Sequence, residues 1–165
     1  MHPSARADGT AGAAAAFADP LVFRVDDLQC GMDRAAVVEI LPALAVRPLP
    51  GQPPFVAGAI DLRGTLVPVL DLRVRFGRPP RPMELSDKLI VARAHGRALA
   101  VWVDAVDGLA GADAGGWTPS GGLLVGDRSV VGVVRTREGA CAIHDLDAFV
   151  SACESDALAA AVEPS

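Results

Sequence analysis

The stretch GAIDLRGTLVPVLDL, residues 58–72, decides the fold because two short apolar runs in it flank a polar tip at Arg63–Gly64. This pattern predicts a β-hairpin, and Gly64 can adopt the positive φ that a tight turn requires. Strand alternation places Asp61 and Arg63 together on the outward face. The residues expected in the core are Ile60, Leu62, Leu66, Val69 and Leu72.

Pro68 lies in the returning strand of this hairpin. Proline has no backbone N–H, so within a sheet it is found at an edge or a bulge. We therefore expect this strand to lie at the edge of its sheet, where it can meet a partner.

The chain repeats its own pattern. Residues 21–33 resemble residues 90–104, since each reads strand, turn, strand and a closing aspartate. Residues 58–72 resemble residues 132–146, since each reads Gly, apolar strand, polar tip, apolar strand and Asp-Leu. Order and spacing both match, which indicates a duplicated β unit of four or five short strands.

Turns and helix starts follow from the same pattern. The hairpins of the first repeated segment are predicted to turn at Asp26–Asp27 and at His95–Gly96, where polar residues interrupt apolar alternation. Asp71 and Asp145 each end a strand, and an aspartate in this position favours an N-cap of a following helical turn. We predict short helical turns after both.

The duplication predicts an all-β fold of two small barrels side by side, because small sheets avoid free edges by curling closed. The proline-rich segment 77–88 is the expected joint between the barrels. Residues 20–152 form one domain in this interpretation. Residues 1–19 are expected to be a flexible alanine-rich tail and residues 153–165 a C-terminal tail.

Composition excludes several classes of protein. A net charge of −5 and a pI near 5.1 argue against nucleic-acid binding, which needs clustered cations. The chain has one lysine, Lys88, and it lies in no phosphate-binding loop. Three cysteines without a CxxC pattern suit a reducing compartment, and the N-terminal residues lack the apolar core of a signal peptide or a membrane span. We expect a cytoplasmic protein.

An enzymatic alternative rests on Cys141, His144 and Asp145, as nucleophile, base and orienting residue. On a strand, residues three apart point to opposite faces, so Cys141 is expected to pack as a small apolar residue. Trp102 alternates with valines, which favours a core position over an interface position.

A metal or phosphate site finds little support. The histidines are scattered, with His2 in the tail and His95 at a turn, so they predict no metal centre. The loop GADAGGW, residues 111–117, is followed by no lysine and is expected to be flexible. No cofactor is predicted.

PPFVAGAIDLRGTLVPVLDLRVRFG, residues 53–77, resembles the signature of the CheW-type coupling domain of bacterial chemotaxis. That signature has Pro-Pro-aromatic, a Gly-apolar-apolar-Asn-Leu-Arg-Gly hairpin, and a proline-containing strand ending in Asp-Leu-Arg. The resemblance extends over residues 21–150 in family order. It implies two pseudo-symmetric five-stranded SH3-like β-barrels, short helical turns and a short C-terminal helix.

The resemblance implies a non-catalytic adaptor that needs no cofactor. Its implied partners are the cytoplasmic tip of chemoreceptors and the regulatory domain of a CheA-type histidine kinase, without direct insertion into the membrane or binding of nucleic acid. It would lie in the cytoplasm, with membrane receptor arrays. The residues that match the family's partner-binding positions are Val37, Val38, Glu39, Gly58, Asp61, Arg63 and Gly64.

The hairpin departs from the family pattern at one position, since Asp61 stands where the family has asparagine. An ionised aspartate only accepts hydrogen bonds, so Asp61 could pair with Arg63 and weaken its hold on a partner. This keeps open a related adaptor that serves a non-swimming chemosensory pathway or docks one partner only. A thiol or metal enzyme is the distant alternative.

Overall fold

The structure is a computed structural model that describes residues 19–110, 117–119 and 129–162. Residues 1–18 of the predicted tail and residues 111–116 of the glycine-rich loop lie outside the described residues. The strands are β1 (Leu21–Val25), β2 (Leu28–Met32), β3 (Val37–Pro42), β4 (Val56–Leu62), β5 (Thr65–Asp71), β6 (Lys88–Ala94), β7 (Arg97–Val103), β8 (Ala105–Leu109), β9 (Trp117–Pro119), β10 (Val130–Thr136) and β11 (Gly139–His144). The helices are α1 (Leu72–Arg75) and α2 (Leu146–Val162), with a 3-10 turn at Arg34–Ala36.

The strands form two sheets in which repeat-related strands occupy equivalent positions. One is β3-β6-β7-β5-β4, and the other is β8-β1-β2-β11-β10, with the short β9 added beside β10. The pairings β5–β7 and β11–β2 are parallel, and the other pairings are antiparallel. The prediction of an all-β fold with two pseudo-symmetric five-stranded units is confirmed.

The repeats interlock, and here the sequence interpretation was wrong. Each sheet combines the first hairpin of one repeat with the second hairpin of the other, so neither repeat forms a sheet by itself. The segment 77–88 connects β5 to β6, which belong to the same sheet, and it is not a joint between sheets. Local periodicity predicts that a hairpin forms, but it contains no information about which sheet the hairpin joins.

The predicted turns and caps are confirmed. Asp26 and His95 have φ of 57° and 51°, as tight two-residue hairpin turns require. Asp71 accepts hydrogen bonds from the backbone N–H groups of Arg73 and Val74 at the start of α1. Asp145 caps α2 in the same way, accepting from the first backbone N–H groups of that helix. Helix α2 runs to Val162, through the predicted start of the C-terminal tail at residue 153.

The five-stranded sheet buries residues on both faces. Ile60, Val67 and Val69 pack on its inner face with Trp102, which is buried as predicted. The opposite face packs against β1, β2 and α2 in a second cluster, which is the interface between the two sheets. Burial of both faces explains why its central strands read as continuous apolar runs.

Leu66 was predicted to be a core residue, and that prediction was wrong, because its side chain is 72% exposed. The hairpin turns at two residues, Arg63 and Gly64, so Leu62 pairs with Thr65, Asp61 with Leu66, and Ile60 with Val67. Directly paired residues share a face. Leu66 therefore points outward with Asp61. Of the other predicted core residues, Ile60, Val69 and Leu72 are buried and Leu62 is half-buried.

Pro68 is also not on an edge strand, because β5 lies between β4 and β7. Ala59, the partner of Pro68, directs its backbone N–H and C=O toward Arg47, at 2.9 and 2.8 Å. The ring nitrogen of Pro68 therefore faces β7, and pairing with β7 begins one residue later, at Val69. The missing N–H costs the sheet no hydrogen bond.

Candidate functional site

The tip of the β4–β5 hairpin is a tight turn held by Asp61. Arg63 and Gly64 have φ of 51° and 88°, and the Gly64 N–H donates a hydrogen bond of 2.8 Å to Asp61 Oδ1. The predicted pairing of Asp61 with Arg63 is wrong, because Asp61 accepts a hydrogen bond from the backbone of Gly64 and the Arg63 side chain contacts Glu39. An asparagine at residue 61 would offer the same Oδ1 acceptor. The departure at this position therefore keeps the shape of the turn.

Arg63 forms an ion pair with Glu39 of β3, its Nη2 donating to Glu39 Oε2. The hydrogen bond to Glu39, and then the charge of Glu39, raise the pKa of Arg63 further above its usual value. Strands β3 and β4 are the first and last of the five-stranded sheet, and in a flat sheet they would lie about 19 Å apart. The ion pair shows that the sheet curls so that its two ends approach each other.

Strand β3 presents apolar side chains at this end of the sheet. Val37 is half-buried against the core, whereas Val38 and Ile40 are 49% and 42% exposed. The register with β6 shifts between Val37 and Glu39, which leaves Val38 as the extra residue of a β-bulge. Because β3 is an edge strand, one side of its backbone is not paired within the sheet.

The predicted site residues fall into two groups. Glu39 and Arg63 meet in the ion pair, and Val38 and Ile40 are the exposed apolar residues on either side of Glu39 along the same edge strand. Gly58 is buried and contacts the backbone of Arg47, so it shapes the hairpin from within. We call the surface formed by Val38, Glu39, Ile40 and Arg63 the β3 edge surface.

A charged network lies beneath the sheet, and sequence reasoning missed it. Asp87 is 1% exposed and accepts two hydrogen bonds from Arg81, at 2.8 and 2.9 Å. Trp102 Nε1 and the backbone N–H of Glu84 donate to the same carboxylate, at 2.9 and 2.8 Å. Burial works to raise the pKa of Asp87, but these hydrogen bonds and the charge of Arg81 outweigh it, so that pKa lies below its usual value.

The network extends to the other sheet through Asp104. Arg73 of α1, which is buried, and Arg81 both contact Asp104 Oδ1. Asp104 Oδ2 accepts the backbone N–H of Asp26 in the β1–β2 turn, at 2.8 Å. The segment 77–88 is therefore fastened to both sheets by charged hydrogen bonds. The sequence signal was an aspartate beside proline-rich residues, which alone predicts a loop.

The cysteine, histidine and aspartate of the enzymatic alternative do not form a catalytic arrangement. Cys141 is fully buried, and burial, with a smaller effect of Asp107, raises the pKa of its thiol to about 12. His144 Nδ1 lies 2.9 Å from Ser129 Oγ, and Asp145 caps α2. A thiol in this state does not supply a thiolate near neutral pH.

Neither a metal centre nor a membrane-spanning helix is found among the described residues. No group of three His, Cys, Asp or Glu residues in the ranges 19–110, 117–119 and 129–162 is arranged to hold a metal ion. No helix in the part of the chain that the structure describes is long and apolar enough to cross a membrane.

Comparison with known proteins places this geometry in a family. A profile of the CheW-like domain matches residues 19–154. The chain is 34% identical over 86 residues to the chemotaxis protein CheW of Rhizobium meliloti (strain 1021), which covers 52% of this chain and 56% of that protein. It is 46% identical over 54 residues to protein FrzA of Myxococcus xanthus, 33% of each chain. The chain thus spans little more than half the length of the CheW relative.

A solved structure is similar along most of the chain. The crystal structure of the scaffolding protein TtCheW from Thermoanaerobacter tengcongensis matches with a TM-score of 0.68 at 26% identity. The match covers 77% of this chain and 88% of that one. The two-sheet architecture described above is therefore shared with a scaffolding protein.

Proposed function

This chain belongs to the CheW-like domain family, and from that premise we propose that it is a non-catalytic adaptor of chemotaxis signalling. In this proposal it couples the cytoplasmic tip of chemoreceptors to the regulatory domain of a CheA-type histidine kinase. It acts in the cytoplasm, beside membrane receptor arrays. The observation that carries the proposal is the Arg63–Glu39 ion pair, which joins the family's hairpin motif to the exposed edge strand β3.

The β3 edge surface has the composition of a docking surface. Val38 and Ile40 supply exposed apolar area at the edge of the sheet, and Arg63 with Glu39 supplies charges of both signs beside it. Protein interfaces combine an apolar centre with polar groups at the rim, and the charges set orientation more than affinity. A receptor tip that offers an amphipathic helix would bury its apolar side on Val38 and Ile40.

The ion pair gives the two partner sites a physical connection. We assign Val37, Val38 and Glu39 to the receptor and Arg63 to contacts with both partners, as the family resemblance of these segments implies. Because Glu39 holds Arg63, a partner that draws either side chain toward itself changes the position of the other. Gly58, Asp61 and Gly64 take the supporting role of fixing the hairpin that carries Arg63.

One reason for the alternative of an adaptor that serves a non-swimming pathway or docks one partner only was that Asp61 could weaken the hold of Arg63 on a partner. That reason no longer applies, because Asp61 holds the turn and leaves Arg63 to Glu39. The buried Cys141, with its raised thiol pKa, favours a role in packing over catalysis.

Assembly on membranes tests the proposal. Receptor cytoplasmic fragments are attached to vesicles, and the kinase from the same cell is sedimented with them in the presence and absence of the full chain. We expect the kinase to sediment with the vesicles only when the chain is present. The Val38→Glu variant should fail to bring the kinase to the vesicles. Recovery of kinase on the vesicles at the same level without the chain would overturn the proposal.

A further inference from the structure

The two repeats of the chain depend on each other to complete their sheets. The first repeat contains β1 to β5, and the second contains β6 to β11. Among the described residues, four strand pairings join the repeats: β1 with β8, β2 with β11, β3 with β6 and β5 with β7. Separation of the repeats would break these pairings and leave open strand edges, so each repeat needs a copy of the other.

The buried clusters are shared between the repeats in the same way. The inner cluster of the five-stranded sheet contains Ile60 from the first repeat with Leu89 and Trp102 from the second. The cluster between the two sheets contains Phe23 from the first repeat and Val101 from the second. Contacts of this kind are the same whether the two repeats belong to one chain or to two copies of it.

The connection between the repeats is held to the first repeat at its start. Helix α1 is followed by Gly77, which has a φ of 77° and donates its N–H to the carbonyl oxygen of Val74 at 3.0 Å. The next residue, Arg78, contacts Asp26 and Asp27 in the β1–β2 turn, at 3.8 and 2.9 Å. The chain therefore stays with the first repeat as far as Arg78.

Three residues later the chain is held to the second repeat. Arg81 donates two hydrogen bonds to Asp87, at 2.8 and 2.9 Å, and contacts Asp104 at 3.1 Å. Asp87 directly precedes β6, and Asp104 directly follows β7, so both acceptors lie in the second repeat. Only Pro79 and Pro80 lie between the two held ends.

Pro79 and Pro80 have the properties of a hinge. Both are exposed, and because proline has no backbone N–H, a change in their conformation breaks no hydrogen bond that they donate. Even when fully extended, the chain from Arg78 to Arg81 spans at most about 10 Å. Short hinge loops favour the exchange of segments between copies, whereas longer loops let a chain fold back on itself.

We propose that two copies of this chain exchange their second repeats and form a domain-swapped dimer, with Pro79–Pro80 as the hinge. Each two-sheet unit of the dimer contains the first repeat of one copy and the second repeat of the other, with the strand pairings of the monomer. Because exchange needs two copies, a high local concentration of the chain favours the dimer. The β3 edge surface lies entirely in the first repeat, so the dimer carries two such surfaces.

A disulfide that joins the two repeats tests the exchange. Pro42 and Lys88 are directly paired at the ends of β3 and β6, and paired residues of antiparallel strands have a Cα separation that a disulfide can bridge. The Pro42→Cys and Lys88→Cys variants of the full chain are mixed, unfolded, refolded together at high concentration with reductant, and then oxidised. We expect a covalent dimer in the mixture and none in either variant alone.

Two controls separate exchange from other kinds of association. A chain that carries both substitutions should form the disulfide as a monomer at low concentration, which shows that the pair has the required geometry. A Gly/Ser insertion between Pro79 and Pro80 should lower the yield of covalent dimer, whereas the same insertion after Gly51, in the exposed β3–β4 loop, should leave it unchanged.

Three results would overturn the proposal. The first is a chain that stays monomeric at high concentration, and the second is a dimer in sedimentation that forms no disulfide between the two variants. The third is a yield of covalent dimer that the insertion between Pro79 and Pro80 does not reduce. All of these measurements use the chain without a kinase or receptor, so they do not depend on the proposed function.

Bivalence is the one consequence that rests on the proposed adaptor function. On vesicles crowded with receptor cytoplasmic fragments, the isolated dimer should bind at least about a hundredfold more tightly than the monomer, because its second surface binds at a high effective concentration. Equal binding by dimer and monomer would overturn the bivalent role. Failure of both to bind, in samples where exchange is proven, would count against the proposed function and not against the exchange.

Discussion

A β-carbon on Gly58 would lie 2.1 Å from the carbonyl oxygen of Arg47, a separation that no packed structure tolerates. Gly58 also has a φ of 149°, which side chains rarely adopt. The close approach lets Arg47 and Ala59 exchange two backbone hydrogen bonds, which cover the outer side of β4. Gly58 is thus required for the hairpin that carries Arg63.

Gly58→Ala should therefore lower the free energy of unfolding by about 2–4 kcal/mol, since it adds a backbone clash to an unfavourable φ. Gly64→Ala is the matched control, because Gly64 has a φ of 88° and a β-carbon added to it would meet nothing within 4 Å. It should cost about 1 kcal/mol. Urea denaturation measures both variants, and equal losses would contradict the steric role of Gly58.

Asp61 acts as a hydrogen-bond acceptor for the turn, and its charge is not needed there. Asp61→Asn should leave stability and partner binding unchanged, because the amide keeps the acceptor that lies 2.8 Å from the Gly64 N–H. Asp61→Ala should cost about 0.5–1.5 kcal/mol, the usual net contribution of one hydrogen bond. Thermal unfolding compares the pair. A larger effect of Asn than of Ala would show that the charge itself matters.

Leu66 and Ile60 lie on opposite faces of the same hairpin. Leu66→Ala should change the free energy of unfolding by less than about 0.5 kcal/mol, because its side chain is 72% exposed. Ile60→Ala should cost about 2–5 kcal/mol, because Ile60 is 1% exposed in the inner cluster. Denaturant titration separates the two, and a large loss in Leu66→Ala would mean that the register of the hairpin is wrong.

The hairpin also shows what could be predicted from the sequence. The repeat and the turn residues predicted the hairpins and caps, because both are local properties of the chain. The pairing of Leu66 with Asp61 followed from a two-residue turn at Arg63–Gly64, but plain alternation along the strand overlooked it. A slip of one residue moves a side chain to the other face.

Contacts between residues that are distant in the sequence could not be predicted from local sequence patterns. The exchange of hairpins between sheets depends on the parallel pairing of β5 with β7, and no short stretch contains that information. The sequence pattern placed Asp87 in a loop, because Arg81 and Trp102 come together around it only in the folded chain. Among the predicted site residues, the alignment of Arg63 with Glu39 depended on the curl of the whole sheet.

The Asp87 network makes the free energy of unfolding depend on pH in the acid range. Because the pKa of Asp87 in the folded chain lies below its unfolded value of about 3.9, the carboxylate stabilises the fold above that pH. This contribution is lost as the pH falls through the folded pKa. Asp87→Asn should cost about 1.5–3 kcal/mol at pH 7, because a neutral amide replaces the charged hydrogen bonds to Arg81, while Arg81 keeps its contact with Asp104.

The difference in the free energy of unfolding between wild type and Asp87→Asn should narrow as the pH falls below about 3.9, because the carboxyl group becomes neutral first in the unfolded chain and then, at its lower folded pKa, in the native protein. Urea denaturation from pH 7 down to the acid limit of folding measures this convergence. A difference that stays constant over the range would show that the charge of Asp87 contributes nothing to stability.

We propose that Arg63 and Glu39 form one functional unit of the adaptor. Calorimetric titration of the full chain with the regulatory domain of the histidine kinase from the same cell tests it most directly, using wild type, Arg63→Glu, Glu39→Arg and the double exchange. We expect saturable binding by wild type, a loss of about tenfold in each single variant with stability unchanged within about 0.5 kcal/mol, and partial recovery in the double exchange, which restores the ion pair. No binding by well-folded wild-type protein, or equal binding by all four, would contradict the account.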